Sequence, residues 1–383
     1  MSNESKREYL ATIRTRYLSS SKKEKEKILD KFCNTCNYHR KYAIRKLNEK
    51  EKKKANKKGK RGRKKRYNSP ELKEFIITLW KRSNLACSVR LKAMIPLWLP
   101  HYPKELKEET KELLLAISAS TIDRLLRVNR NRYGKLGLAT TKPGSLIRKQ
   151  IPIKTKQWDE TQPGFIEADT VAHCGGSLSG TFVYSLNTVD IATGWTEARA
   201  LWGKGQKTAF EAIRSIEASI PFKLKGFDSD NGGEFINWHL FTYFVKRKRP
   251  VDYTRSRAYQ KNDNAHIEGK NWTHIRQYFG YMRFDKQEIV DMMNDLFLNE
   301  WSYLHNFFLP SMKLNSKERI NGKVIKKHSP PKTPLLRLVE SRILTKKKEK
   351  ELQKIFKKID PFELQKRVEK KIKNILNYAM KVS

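Results

Sequence analysis

Three acidic residues in the middle of the chain stand where predicted elements begin or end. Asp169 lies in a predicted strand, Asp230 directly follows another, and Glu268 lies in the first turn of a predicted helix. Neighbouring strand ends and an abutting helix can bring three such carboxylates within reach of one ion. Hard oxygen ligands suit Mg²⁺ or Mn²⁺, and two such ions can activate an attacking oxygen and stabilise a leaving one in phosphoryl transfer.

The elements that must position these acids follow from the apolar pattern. Short apolar segments at 165–171, 181–190, 194–201, 222–228 and 251–254 predict five strands, and helical spacing predicts helices over 206–219, over 234–245 and from Asn264 onward. This order predicts a mixed α/β sheet with helices on its faces. Glu268, Trp272, Ile275 and Phe279 share one helical face, so we expect the carboxylate of Glu268 to face the sheet.

Each acid also has an ordinary local explanation. Asp is common in the turn after a strand, and Glu in a first helical turn answers the helix dipole. Asp228 has the same strand parity as Asp230 and is its chief rival as the second acid of the site. His173 could shape the site, although a histidine near a strand end is more often a hydrogen-bonded structural residue.

The order of the three acids becomes specific through four motifs, which are Gly164-Phe-Ile-Glu-Ala-Asp-Thr, Val189-Asp-Ile-Ala-Thr-Gly-Trp, Ser229-Asp-Asn-Gly-Gly-Glu-Phe and Asp263-Asn-Ala-His-Ile-Glu. With them, the segment 158–285 resembles the ribonuclease-H-like catalytic core of retroviral integrases and bacterial insertion-sequence transposases, the DDE family. The resemblance implies that Asp169, Asp230 and Glu268 are catalytic and hold two Mg²⁺ or Mn²⁺ ions. It also implies hydrolysis at the 3′ ends of a mobile element, then joining of the freed 3′-OH to target DNA. The 38 residues from Asp230 to Glu268 slightly exceed the usual retroviral spacing, which leaves the loop 255–263 open.

The charge of the chain points to a polyanionic partner. Lys and Arg number 82 against 40 Asp and Glu, a net charge of +42, yet residues 159–285 carry a net charge of only +1. Such an excess suits nucleic acid or an anionic membrane surface. Because no apolar run is long enough to span a membrane and four cysteines are too few for a disulfide framework, we expect a cytoplasmic, nucleoid-associated protein without membrane contact.

The predicted organisation places DNA-binding regions before the core and a basic region after it. Residues 1–49 form a helix-turn-helix domain, 50–68 a basic linker, 69–134 a second helical, helix-turn-helix domain and 135–157 a linker, while 158–285 form the integrase-type core and 286–383 a basic, mainly helical region. Double-stranded DNA, both element ends and target, is the expected partner, and we expect a homo-oligomer on DNA.

The predicted DNA contacts are basic residues on exposed helical faces, in the linker and around the acids. In the first helix-turn-helix, the second helix would present its cations to base edges in the major groove; the alternative is a solvated helical hairpin. In the linker, the Arg-Gly-Arg sequence suits a minor groove; the alternative is a solvated run of charges. The contacts are Arg40, Lys41 and Arg45 in the first helix-turn-helix, Arg61 and Arg63 in the linker, Arg124, Arg127 and Arg130 in the second, and Arg255, Arg257, Lys261, Lys270 and Arg276 in the core.

Two further patterns concern packing. Cys33, Cys36 and His39 resemble half of a zinc site, but without a second ligand pair nearby we expect small buried residues at a helical elbow. The stripe Leu364, Val368, Ile372, Ile375 and Ala379 predicts a helix that packs on its own chain. For 312–344 the sequence leaves open a small β module or an extended linker along DNA.

The function predicted from these features is that of a transposase. One alternative is a DNA-binding regulator derived from a transposase, which would need the basic regions but not the three acids. Another is a structure-selective nuclease of the same fold, which would not need so long a DNA-binding region.

Overall fold

The computed structural model describes residues 1–49, 66–130, 160–256, 265–320 and 323–380. The predicted contacts Arg61, Arg63, Arg257 and Lys261 and the linker 135–157 lie outside these ranges. The chain divides into two compact units, Met1–Lys65 and Arg66–Ser383. The domain boundaries predicted within the second unit stay predictions.

Three helices form the first unit: α1 (Asn3–Ser19), α2 (Lys22–Cys36) and α3 (Arg40–Asn48). Asn37 ends α2 in the left-handed conformation, with φ of 53°, which turns the chain toward α3. Phe32, Cys36 and Leu47 are fully buried in a small core between the helices. Cys36 is therefore a packing residue at the elbow, as predicted.

Four helices open the second unit: α4 (Pro70–Arg82), α5 (Ser88–Trp98), α6 (Glu108–Ala116) and α7 (Ala119–Arg130). Ser69 caps α4 by accepting a hydrogen bond from the backbone nitrogen of Leu72, and Pro70 occupies the first helical position. The apolar faces of these helices belong to one core that continues into the sheet and the C-terminal helices.

The sheet has five strands: β1 (Phe165–Ala172), β2 (Val183–Asp190), β3 (Thr196–Trp202), β4 (Gly226–Ser229) and β5 (Asp252–Arg255). Their order is β3-β2-β1-β4-β5. The pairs β1–β2 and β2–β3 are antiparallel, whereas β1–β4 and β4–β5 are parallel. This mixed sheet with its helices fits a ribonuclease-H-like core, as the sequence predicted.

Helices cover the sheet and continue the chain between its strands. Helix α8 (Gln206–Ser219) packs on β3, and α9 (Trp238–Val245) contacts β5. After β5 the chain enters α10 (Ala265–Lys270), continues as a π-helical segment over Asn271–Arg276 and ends in the short α11 (Gln277–Phe279). Helix α10 contacts β1 and β2, so it lies beside the strand that carries Asp169.

The C-terminal part packs on the same core. Helix α12 (Glu288–Leu296) continues through π-helical segments at Phe297–Trp301 and Leu304–Phe308, and a hairpin of β6 (Leu314–Ile320) and β7 (Lys323–His328) follows. Helices α13 (Pro334–Glu340), α14 (Lys346–Lys358) and α15 (Pro361–Met380) complete the chain. A small β module therefore occupies part of 312–344.

The C-terminal helix confirms the packing prediction. Leu364, Val368, Ile372 and Ile375 are buried, and α15 packs against α12 of the same chain. No helix among the described residues is both long and apolar enough to cross a membrane.

Candidate active site

Two of the three predicted acids come close together from neighbouring parallel strands. Asp169 lies in β1, and Asp230 follows β4, the strand paired in parallel with β1. The carboxylate of Asp169 accepts hydrogen bonds from its neighbour, the backbone nitrogen of Thr170, at 2.7 Å and from Nδ2 of Asn271 at 2.6 Å. Burial and the nearby charge of Asp230 raise the pKa of Asp169 to about 7.

Asp230 begins a tight turn that depends on glycine. Its Oδ1 accepts a hydrogen bond from the backbone nitrogen of Gly232 at 2.9 Å. A Cβ on Gly232 would lie 2.5 Å from Oε2 of Glu234 and 2.9 Å from Oδ1 of Asp230, so a larger residue here would displace the two carboxylates. Burial and the charge of Glu234 raise the pKa of Asp230.

An ion pair between a partly exposed lysine and a buried glutamate lies beside the two aspartates. Nζ of Lys204, in the loop before α8, lies 2.8 Å from Oε1 of Glu234, and the Thr170 hydroxyl donates to the same oxygen at 3.0 Å. Burial alone would lower the pKa of Lys204, but the carboxylates of Glu234 and Asp230 raise it above its ordinary value. The lysine is therefore a fixed positive charge close to the acid pair.

Asp228, the rival of Asp230, has a different environment. It lies within β4, is 3% exposed and accepts a hydrogen bond from the Thr254 hydroxyl on the adjacent strand β5. Burial and the charge of Asp228 raise the pKa of Tyr253. In the register of the sheet Asp228 pairs with Glu167, and Glu167 accepts hydrogen bonds from the backbone nitrogens of His266 and Ile267 at 3.1 Å each. Glu167 thus anchors the first turn of α10 to the sheet.

Glu268 does not face the sheet, and this part of the prediction is wrong. It is exposed, and Trp272 is 42% exposed, whereas Ile275 and Phe279 are buried as expected. The reason is the π-helical segment from Asn271 onward, which changes the helical period and breaks the predicted common face. The residue that contacts Asp169 is Asn271, one turn after Glu268.

Asn271 is held in place from the other side. Its Oδ1 accepts a hydrogen bond from Nδ2 of Asn187 on β2 at 3.0 Å, which orients Nδ2 of Asn271 toward Asp169. Sequence reasoning missed Asn271, Lys204 and Glu234. Glu234 lies within the Ser229–Phe235 motif, and that motif was the available signal.

The donor chemistry fits a divalent cation in part. Asp169 and Asp230 offer two carboxylates with raised pKa values, that of Asp169 partly through the charge of Asp230, and a hard cation would relieve this repulsion. Within residues 1–49, 66–130, 160–256, 265–320 and 323–380, no three His, Cys, Asp or Glu side chains are grouped closely enough to hold a metal ion.

The predicted DNA-contacting residues of the helical regions are mainly on the surface. Arg40, Lys41 and Arg45 are exposed on α3, where Arg40 pairs with Asp30 and lies near Glu26. Arg124 and Arg127 are exposed on α7, and Arg130 pairs with Asp123. Two of these cations are therefore partly neutralised, Arg40 by acids of the preceding helix α2 and Arg130 by an acid of its own helix α7.

The core cations are half-buried. Arg255 donates to Oδ1 of Asn231 at 3.0 Å, and Arg276 donates to the Gly280 carbonyl and lies over the ring of Tyr281. Burial and the charges of Arg90 and Arg337 lower the pKa of Lys270 to about 7.

His173 is a structural residue, as the ordinary interpretation predicted. It is fully buried, its Nε2 lies 2.8 Å from the Ser185 hydroxyl, and its ring stacks on Phe284. Burial lowers the pKa of His173 to about 3, so it is neutral at physiological pH.

Comparisons with known proteins found both a relative in sequence and neighbours among the solved structures. No protein-family model matches the chain. The chain is similar to the catalytic core domain of HTLV-2 integrase in complex with magnesium, in its dimeric form, with 12% identity and a TM-score of 0.28 over 43% of this chain and 94% of that chain. A TM-score this low does not establish a fold, so the assignment of the fold rests on the strand order of the chain's own sheet. The uncharacterized protein y4rM of Sinorhizobium fredii is 37% identical over 337 residues, which cover 86% of this chain and 94% of that protein. The chain therefore belongs to the same protein family as y4rM.

Proposed function

We propose that the protein is a DDE transposase that binds the ends of an insertion sequence, hydrolyses them at the 3′ ends and joins the freed 3′-OH to target DNA. The observation that carries this proposal is the pair of carboxylates formed by Asp169 within β1 and Asp230 just after the neighbouring parallel strand β4, in a ribonuclease-H-like sheet. The strongly basic composition and the helical regions before the core support a DNA substrate.

In this proposal Asp169 and Asp230 hold Mg²⁺ or Mn²⁺, and Glu268 completes the donor set by turning toward them from its exposed position on α10. The ions, when bound, lower the pKa of an attacking water or hydroxyl and neutralise charge on the phosphoryl group. The chain's own residues position these donors. Asn271 holds one oxygen of Asp169, and the Gly232 amide holds one oxygen of Asp230.

The remaining neighbours keep the site in shape. Glu167 fixes the start of α10, three residues before Glu268, through two backbone hydrogen bonds. The Lys204–Glu234 pair carries no net charge, so the negative charge of the two aspartates stays available for a cation. The DNA contacts proposed for the exposed arginines and lysines position the strand and do not take part in the chemistry.

The test compares Asp230→Asn with Asp228→Asn in cleavage of DNA containing the element ends. Asparagine keeps the shape of aspartate and loses the charge that attracts the ion, so Asp230→Asn should abolish Mg²⁺-dependent cleavage while DNA affinity stays within a few-fold of wild type. Asp228→Asn should reduce cleavage much less, because Asp228 accepts a hydrogen bond from the Thr254 hydroxyl and does not hold the ion. Reversed behaviour of the two variants would show that the second ligand is misassigned.

The same assay tests Glu268 and the class of protein. Glu268→Gln should also abolish cleavage and leave DNA binding intact, with Glu288→Gln, in the first turn of α12, as the matched exposed control. A DNA-binding regulator would bind the ends with no Mg²⁺-dependent cleavage in the wild type. A structure-selective nuclease would cleave without joining 3′ ends to a second duplex.

A further inference from the structure

A cavity lined by positively charged side chains lies beside α10, and the proposed chemistry does not use it. Its volume is about 330 Å³, and five separated parts of the chain line it: α5, the β2–β3 turn, the helix that begins with α10, the segment that leads into β6, and the end of β7. Three of these parts contribute one basic side chain each: Arg90 from α5, Lys270 from α10 and Lys313 from the segment before β6.

These three cations have neutral hydrogen-bond partners. Nε of Arg90 donates to the Pro310 carbonyl at 2.6 Å, and Nζ of Lys313 donates to the Ala192 carbonyl at 2.9 Å. Nζ of Lys270 lies 3.3 Å from Nε2 of His274. Within the described part of the chain, none of the three has a carboxylate within 4 Å of its charged nitrogens.

The acid that lines the cavity is already engaged. Asp190 is 1% exposed, and its two oxygens accept hydrogen bonds from the Gly164 amide and from the amide and hydroxyl of Thr193. Its charge offsets only part of the positive charge around the cavity. Arg337 adds a further cation next to this wall, where it donates to the Thr193 carbonyl and the Ser311 hydroxyl.

Half-buried like charges that converge on one space repel each other unless an anion joins them. A phosphate group matches this arrangement because its oxygens can accept hydrogen bonds from several cations at once. Gly269, which also lines the cavity, leaves room for it, since a Cβ at this position would have no atom within 4 Å.

We propose that this cavity binds one backbone phosphate of the DNA strand, held by Arg90, Lys270 and Lys313. The identification of the anion as DNA rests on the proposed function. Lys270 is two residues from Glu268 on α10, so a phosphate held here would tie the bound strand to the helix that carries the third acid. Arg90 and Lys313 are the new contacts, and they link the N-terminal helices and the C-terminal hairpin segment to that strand.

The first experiment measures phosphate binding by the full-length protein with inorganic phosphate as the probe, in EDTA and at constant ionic strength. Isothermal titration should detect binding to the wild type and a loss of at least about tenfold in Lys313→Gln, because a charge-assisted contact is removed. Gly269→Leu keeps all three cations and fills the space, so it should weaken phosphate binding as well. Lys347→Gln, an exposed charge on α14, is the matched control and should bind like the wild type.

The second experiment asks whether the phosphate belongs to DNA. In EDTA, fluorescence anisotropy over a salt series should give a slope of log affinity against log salt that is shallower by about 0.9 in Lys313→Gln, one phosphate contact, and unchanged in Lys347→Gln. Equal phosphate binding by the wild type, Lys313→Gln and Gly269→Leu would overturn the site. Phosphate binding that these variants lose, together with an unchanged DNA slope, would overturn the DNA assignment in favour of a free anion.

Two controls distinguish a failure of this inference from misfolding of a variant and from a failure of the proposed function. Thermal unfolding identifies a variant that fails to fold, and Gly269→Leu gives a second route to the answer without removing a charge. Because both binding experiments are done without divalent metal, they do not depend on cleavage. A wild type that shows the predicted DNA slope but no Mg²⁺-dependent cleavage would keep this inference and refute the transposase.

Discussion

The ion pair between Lys204 and Glu234 gives the sharpest test of the site's architecture. The Glu234 side chain is 3% exposed and that of Lys204 is 30% exposed, with 2.8 Å between Nζ and Oε1. At this distance and an effective dielectric constant of about 20, the gross attraction is about 6 kcal/mol. Most of it offsets the loss of hydration of the two ions, so we expect a net coupling energy of about 1–3 kcal/mol.

The two single variants should differ. Lys204→Gln leaves a buried carboxylate without its cation beside two aspartates, whereas Glu234→Gln leaves a lysine that can reach water and still lies near Asp230. Glu234→Gln also keeps an acceptor for the Thr170 hydroxyl. We therefore expect Lys204→Gln to lower the free energy of unfolding more than Glu234→Gln does.

Urea unfolding of the wild type, both single variants and the double variant gives the coupling energy directly. The matched control is the same cycle on Lys348 and Glu351 of α14, whose side chains are 41% and 53% exposed; this pair should show no more than about 0.5 kcal/mol. A coupling energy for Lys204 and Glu234 no larger than that of the control, or the opposite order of the single variants, would refute the reasoning.

Two further predictions concern DNA and pH. Deletion of residues 1–65, the N-terminal unit, should make the slope of log DNA affinity against log salt shallower by several units and remove discrimination between end and scrambled duplexes. Fluorescence anisotropy measures both effects. An unchanged slope with retained discrimination would contradict the prediction. Because the pKa of buried His173 is about 3 when folded and near 6.5 when unfolded, the unfolded chain binds the proton first, so stability falls as pH drops from about 6.5 toward 3. His173→Gln should make this fall shallower by about 1.4 kcal/mol per pH unit in urea unfolding, and exposed His239→Gln should not.

The sequence predicted the sheet because its strands have a clear pattern. Apolar segments bounded by Gly-containing turns located β1, β2 and β3 to within a few residues, and the mixed sheet followed from the order of elements. Strand β4 is shorter than predicted: Phe222 and Leu224 are buried, but the ladder begins at Gly226. Burial of a side chain and hydrogen bonding of its backbone to a neighbouring strand are different properties. The apolar pattern of the sequence indicates only burial.

The orientation of the third acid could not be predicted. The spacing of Glu268, Trp272, Ile275 and Phe279 assumes 3.6 residues per turn throughout, but hydrogen bonds from Asn271 onward follow the wider π-helical period. Nothing in the apolar pattern marks that change. By contrast, α1 could have been predicted, since Tyr9, Ile13 and Tyr17 recur at intervals of four residues and pack on the first core.

The carboxylates on β1 and β4 divide into two pairs with different roles. Glu167 and Asp228 are opposite each other in the register, and their hydrogen bonds go to the first turn of α10 and to β5, so they hold elements together. Asp169, further along β1, and Asp230, just after β4, are oriented by Asn271 and Gly232, and the charge of Asp230 raises the pKa of Asp169. Packing alone gives no reason to place two buried acids close to each other on neighbouring strands. A bound cation would turn that repulsion into attraction, which is why the metal-dependent reaction explains the pair better than a structural role does.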